Sequence, residues 1–205
     1  MFGNLYLHPM QTGLNNRNDG VIFMDINEYK KRIKRVVIPE DEIKEAIKKA
    51  GRTISEGYSG SPVLLVSILK GAFVFLSDIC RAVDVPCEVD FMEAKSYYEN
   101  TQSSGSVAIT MDLKKDIKDR DVVIVEDIID TGRTLSEVIK LLKARGPRSL
   151  KVVTLLDKPS RRVVPLEPDL SLFTIPDYFV IGYGLDYGEY YRNLPYIAEF
   201  DDSGI

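Results

Sequence analysis

The chain has 205 residues, enough for one domain that buries its own core without a disulfide or a metal. Apolar residues make up 44% and charged residues 28%, which excludes global disorder and low complexity. Lys and Arg total 27 against 31 Asp and Glu, a net charge of -4 that disfavours a dedicated nucleic-acid binder, and the single histidine (His8) with two cysteines (Cys80, Cys87) outside any CxxC or zinc spacing all but excludes imidazole zinc sites and His-dependent hydrolases.

Residues 1–20, rich in Asn and Gly, read as a loosely ordered leader. No basic stretch followed by an apolar core opens the chain, so the expected location is cytoplasmic. The run KKRIKR at 30–35 reads as a solvated basic surface before a strand. Val36, Val37 and Ile38 form a short apolar run, and Pro39, Glu40 and Asp41 suit a helix entry. Ile43, Ala46, Ile47, Ala50 and Ile54 then recur at helical spacing, up to Gly57 and Gly60. VLLVSIL at 63–69 reads as a strand buried on both faces, followed after Lys70 and Gly71 by a helix carrying Phe73, Val74, Leu76 and Ile79. The most apolar stretch, 62–80, is interrupted by Lys70 and Asp78, so no membrane span or membrane partner is expected.

A strand is expected at 88–92, a mobile polar loop at 94–106 and further strands at 107–111 and 122–125. Leu135, Val138, Ile139, Leu141 and Leu142 mark a helix that stops near Gly146 and Pro147. Strands follow at 150–156 and 179–181. Alternation of strands and helices predicts an α/β fold, a mostly parallel sheet flanked by helices. Ligands in such folds bind beyond the carboxyl ends of the strands, here after Leu69, Val125, Leu156 and Ile181. One domain is expected over 1–205, with a core at about 35–175 and a small hood or lid from about 176–205 plus the leader.

The sharpest feature is VVIVEDIIDTGRT at 122–134, leading directly into a helix. Glu126 and Asp127 at the end of a buried strand are costly unless something binds them. Sugar hydroxyls, or a divalent metal sharing those hydroxyls, would do so. Thr131, Gly132, Arg133 and Thr134 stand where loop becomes helix, and the glycine, the hydroxyls and the free amides together make a phosphate cradle. A plain acidic loop with a threonine capping the helix is the other reading. GxxxxGK[ST] is absent, and Gly182, Gly184 and Gly188 miss the dinucleotide spacing.

EDIIDTGRT after VVIV resembles the phosphoribosyl pyrophosphate signature of the type I phosphoribosyltransferases. SILKG at 67–71, KSYY at 95–98, LLDKP at 155–159 and FVIGYGLDYGEYYRNLPYI at 179–197 resemble the hypoxanthine-guanine branch of that family. The resemblance implies Mg²⁺-dependent transfer of 5-phosphoribosyl from phosphoribosyl pyrophosphate to hypoxanthine or guanine. It implies Asp130 as the proton acceptor. Lys70, Gly71, Ser96, Tyr97, Glu126, Asp127, Thr131, Gly132, Arg133, Thr134 and Arg192 would hold the phosphoribosyl donor. Ile128, Lys158, Phe179, Val180 and Asp186 would hold the purine, and Glu126, Asp127 and Asp186 the metal. It also implies a non-proline cis peptide in the Lys70–Gly71 turn and a homodimer or homotetramer. Two alternatives stay open: the same transfer with another base such as xanthine, or a phosphoribosyl pyrophosphate-sensing regulator that binds nucleic acid. Only the basic run favours the regulator, and no nucleic-acid partner is expected.

Overall fold

In the computed structural model, which describes residues 26–97 and 106–203, the elements run α1 (Ile26–Lys31), β1 (Ile33–Ile38), α2 (Glu40–Tyr58), β2 (Val63–Leu69), α3 (Phe73–Ala82), β3 (Cys87–Tyr97), β4 (Ser106–Met111), β5 (Asp121–Ile129), α4 (Arg133–Lys143), β6 (Ser149–Asp157), β7 (Leu170–Thr174), β8 (Val180–Ile181) and β9 (Ile197–Phe200). Contacts gather 32–205 into one unit, and α1 falls outside it. The expected leader lies outside the described residues, as does 98–105 of the expected loop. No helix among the described residues is long and apolar enough to cross a membrane.

Period-two alternation with both faces apolar forces a covered sheet. Along β2, Val63 and Leu65 join one core cluster while Leu64, Val66 and Ile68 join the other. The first cluster is closed by α2 and α3, through Ile43, Ile47, Ala50, Ile54, Phe75, Leu76 and Ile79. The second is closed by α4, through Leu135, Val138 and Leu142. In α3 the buried face differs from the expected one: Phe75 is fully buried and Phe73 is 43% exposed. Helix α2 runs past Gly57 and ends where Ser59 turns left-handed.

The main sheet has the order β4-β3-β2-β5-β6-β7, parallel except for the antiparallel β4. From β2 the chain winds outward to β3 and β4. It then returns to the other side of β2 and winds outward through β5, β6 and β7. Adjacent β2 and β5 therefore leave their connections on opposite sides, and a crevice opens at their carboxyl ends.

Several expectations change. The run at 36–38 does not open the main sheet. It belongs to β1, which pairs antiparallel with β9, and β9 with β8, in a separate sheet. The 179–181 strand is part of that small sheet, so the parallel-strand rule does not apply at its end. Strand β3 continues through Tyr97 because β4 pairs with it, Ala94 opposite Ile109 and Ser96 opposite Val107. Strand β5 carries Glu126 and Asp127 within it rather than after it, since β6 pairs alongside as far as Asp157. In β1, Lys34 and Arg35 both reach Glu199 of β9, at 2.6 and 2.7 Å.

Candidate active site

The crevice holds a cavity of about 280 Å³. Its wall includes Gly71 from the β2–α3 turn and the run from Glu126 to Thr134. Two carboxylates share its floor. Glu126 Oε2 is buried with no hydrogen-bond partner. Asp127 Oδ1 accepts the Ile128 amide at 2.7 Å. Both side chains touch the cavity, yet protein surrounds them closely enough to strip most water. Burial pushes the Glu126 carboxyl well above the usual range, and the neighbouring Asp127 charge adds to the rise. Burial likewise pushes Asp127 up to about 6; the Ile128 amide and Arg192 oppose the rise and Asp186 adds to it.

The sign of this shift yields a test. A raised carboxyl favours folding while protonated, and that contribution is lost as pH rises from 3.8 through about 6. Asp127→Asn copies the protonated shape without the charge. It is expected to stabilise the ligand-free protein at pH 7.5 by about 1–2 kcal/mol, with the margin shrinking as pH falls toward 4. Denaturant melts of both proteins at the two pH values check this. A variant less stable than wild type at pH 7.5 would contradict it.

The turn into α4 follows. Gly132 is the N-cap of α4 and provides no side-chain cap, and Thr131 Oγ1 lies 3.5 Å from the Arg133 amide, at the limit of a hydrogen bond. Arg133 and Thr134, in the first turn of α4, line the cavity, and the N-terminal end of a helix favours an anion. Asp130 lies just beyond β5. Its carboxylate meets Arg161 at 3.2 Å and its carbonyl accepts Arg162 at 2.6 Å. The amide of Lys158 donates to Ile129 O at 3.0 Å, which sets the end of β6 beside Asp130.

Missing side chains explain how the turns meet. A Cβ on Gly71 would lie 1.6 Å from Asp127 Oδ2, and one on Gly184 would lie 2.1 Å from Gly71 O. The loop after β8 therefore sits directly on the β2–α3 turn, which itself sits on Asp127. Tyr183 anchors that loop through a hydroxyl bond to Asp78 of α3. Arg192 donates to Gly184 O at 2.8 Å and pairs with Asp186 at 2.9 Å. The cis peptide is Leu69–Lys70.

The purine-side candidates lie apart from this cavity's wall, except Ile128. Lys158 is buried, and its Nζ donates to Tyr178 O with Asp177 at 3.9 Å. Desolvation lowers its pKa. Phe179 is 45% exposed and packs on Tyr187 and Phe200, at centroid distances of 5.9 and 5.5 Å. Val180 is buried in β8 opposite Glu199.

Gly71, Glu126, Asp127, Ile128, Asp130, Thr131, Gly132, Arg133 and Thr134 thus line one cavity. Lys70 and Arg192 do not. Together with Leu69, Phe73, Phe91 and Glu189 they line a second cavity of about 460 Å³, beside the same turn. Ser96 and Tyr97 fall on the end of β3 by their backbone. Sequence reasoning passed over Glu189, Arg161 and the Asp78–Tyr183 bond. The first had a readable signal, a lone acid three residues before Arg192. The others are long-range contacts with none.

Residues 33–188 match the phosphoribosyl transferase domain family. Over 166 residues the chain is 52% identical to a hypoxanthine phosphoribosyltransferase of Salmonella typhimurium, covering 80% of this chain and 93% of that protein. It is 50% identical over 166 residues to a hypoxanthine-guanine phosphoribosyltransferase of Streptococcus pneumoniae, covering 81% and 92%. A crystal structure of a hypoxanthine phosphoribosyltransferase from Staphylococcus aureus superposes with a TM-score of 0.81 at 44% identity, over 84% of this chain and 94% of that one. The chain belongs to the phosphoribosyltransferase family and, within it, to the hypoxanthine-guanine branch, transferases of purine salvage.

Proposed function

We propose that the protein transfers the 5-phosphoribosyl group of phosphoribosyl pyrophosphate to hypoxanthine or guanine, releasing pyrophosphate and the purine nucleotide. The observation that carries this reading is the continuous wall from Glu126 to Thr134. It puts paired carboxylates, a proton acceptor and a helix N-terminus in one row, matching ribose hydroxyls, purine and 5'-phosphate.

The first-turn amides of α4, with Thr131 and Thr134, hold the 5'-phosphate. Glu126 and Asp127 accept the ribose hydroxyls. Asp130 takes the proton lost from the purine N7 as the new glycosidic bond forms and the bond to pyrophosphate breaks. Lys158 donates to the purine 6-oxo group, with Phe179 and Ile128 against the ring faces. Val180 and Asp186 supply backbone acceptors for the 2-amino group of guanine. Gly71 and Arg192 face the leaving pyrophosphate, with Lys70 beside them. Ser96 and Tyr97 close over the reacting carbon and exclude water.

The donor set suits Mg²⁺. Glu126 has an orphaned oxygen, and burial holds the Asp127 carboxyl up to about 6, a setting that favours a bound cation. Mg²⁺ is usually held through one or two carboxylates, with substrate phosphates and water as its other ligands. Glu126 and Asp127 would hold one ion at the ribose hydroxyls and Asp186 a second, which would offset charge on the departing pyrophosphate. The protein is proposed to act in the cytoplasm as a homodimer or homotetramer. In the basic run that favours the regulator alternative, Lys34 and Arg35 pair with Glu199.

Lys158→Ala tests the base assignment. Wild type is expected to use hypoxanthine and reject adenine, whose 6-amino group is a donor and cannot accept from the buried lysine. The variant is expected to lose about 10²-fold or more in kcat/KM for hypoxanthine, with the hypoxanthine-to-adenine ratio collapsing. Steady-state kinetics on the two bases measure it. An unchanged ratio would mean another group reads position 6.

A further inference from the structure

Glu189 is the one residue of the second cavity's polar rim that carries a negative charge, and it faces two cations. A single oxygen, Oε2, lies 3.0 Å from Lys70 Nζ and 3.3 Å from Arg192 Nη2. The same chain position is fixed from behind, since the Glu189 amide donates to Asp186 Oδ2 at 2.8 Å. Its backbone adopts φ 72°, a left-handed conformation uncommon for a residue with a side chain and favoured only where the surroundings impose it. Local backbone cost is thus accepted to aim this carboxylate back across the Leu69–Gly71 turn.

Arg192 shows what the carboxylate is doing there. Its side chain is only 18% exposed. Nη1 is taken by Gly184 O, Nη2 by Asp186, and Nε is buried without a partner. Asp186 is 30% exposed and Glu189 is 64% exposed. Of the two acids on Arg192, Glu189 is the one free to swing into solvent. An oxygen shared between a lysine and an arginine occupies the geometry that a phosphoryl oxygen would take.

We propose that Glu189 is a built-in placeholder for the pyrophosphate group: its carboxylate holds Lys70 and Arg192 together in the free enzyme and is displaced when pyrophosphate binds. This rests on the reading that Lys70 and Arg192 face pyrophosphate. An internal competitor keeps the cations oriented and weakens the hold on the product, which favours release. Glu189 is a positioning residue, acting on the anion through those two cations.

The test uses the full chain with Mg²⁺ and inorganic pyrophosphate as the probe, by calorimetry. Glu189→Gln is expected to bind pyrophosphate about 5- to 10-fold more tightly at low salt, with the advantage fading as salt rises. Its KM for phosphoribosyl pyrophosphate should fall while KM for hypoxanthine stays unchanged, a split that a loosened fold would not give. Glu56→Gln, which removes one exposed charge from α2, should change nothing. Lys70→Ala and Arg192→Ala should each weaken pyrophosphate binding. If they do and Glu189→Gln binds no more tightly than wild type, the placeholder role is wrong and the pyrophosphate assignment stands. If neither alanine variant weakens binding, the pyrophosphate assignment fails and the placeholder with it.

Discussion

Asp130→Asn is expected to lower kcat by about 10²–10⁴-fold while leaving the affinity for phosphoribosyl pyrophosphate nearly unchanged. The substitution keeps the shape and removes the basic oxygen pair. The Asp130 backbone is held by its carbonyl, which accepts Arg162, so the turn's position does not depend on the side chain's charge. The ion pair to Arg161 is lost, but that pair is half exposed and such pairs are worth about 0–1 kcal/mol, too little to unfold the turn. The turn proposed to hold the 5'-phosphate begins one residue later and keeps its amides. Turnover and donor binding should therefore separate. Pre-steady-state nucleotide formation with hypoxanthine, set beside equilibrium binding of the donor, measures the two. Equal turnover in both proteins would remove Asp130 as the proton acceptor.

Gly71→Ala is expected to cost about 10²-fold or more in kcat/KM for the phosphoribosyl donor in a protein that still folds. The new methyl would lie 1.6 Å from Asp127 Oδ2. On its other side the turn is walled by backbone, with Gly184 close against Gly71 O. The cheapest relief is for Asp127 to swing away, since a carboxylate end moves more easily than two packed turns. That breaks its bond to the Ile128 amide and takes it from the position proposed to meet the ribose and metal. Overpacking of this kind costs about 1–3 kcal/mol in stability, which a folded domain with about 5–15 kcal/mol in hand can absorb. Circular dichroism and a thermal melt should show a folded variant, with kinetics carrying the loss. Turnover within threefold of wild type would show that Asp127 is not needed where it stands.

The part of the site that lies in one stretch of chain was legible. A run of four apolar residues ahead of two acids, with a glycine and threonines leading into a periodic helix, announces a strand end, a turn and a helix N-terminus at once. From Glu126 to Leu135 it lines one cavity. What was not legible is what distant segments do to each other. Strand β1 pairs with β9, as Val36 with Ala198, and no local pattern in a six-residue or four-residue strand states such a partner. The KSYY stretch reads as loop because its residues are polar, yet β4 holds 95–97 in the sheet by backbone pairing that is blind to side chains. Gly71 could be placed at a turn, but only the fold shows that Asp127 fills the space its side chain would need. Lys70 could be placed at the same turn, but only the fold shows that its side chain shares a second cavity with Arg192 and pairs with Glu189.

The most direct test of phosphoribosyl transfer to a 6-oxopurine is nucleotide formation from phosphoribosyl pyrophosphate and Mg²⁺, followed in parallel with hypoxanthine, guanine, xanthine, adenine, orotate and uracil. Turnover with hypoxanthine or guanine and none with adenine, orotate or uracil is the predicted result, and the xanthine lane defines the breadth of the pocket. Tight donor binding with no nucleotide in any lane would contradict the account and leave a protein that senses the donor without using it.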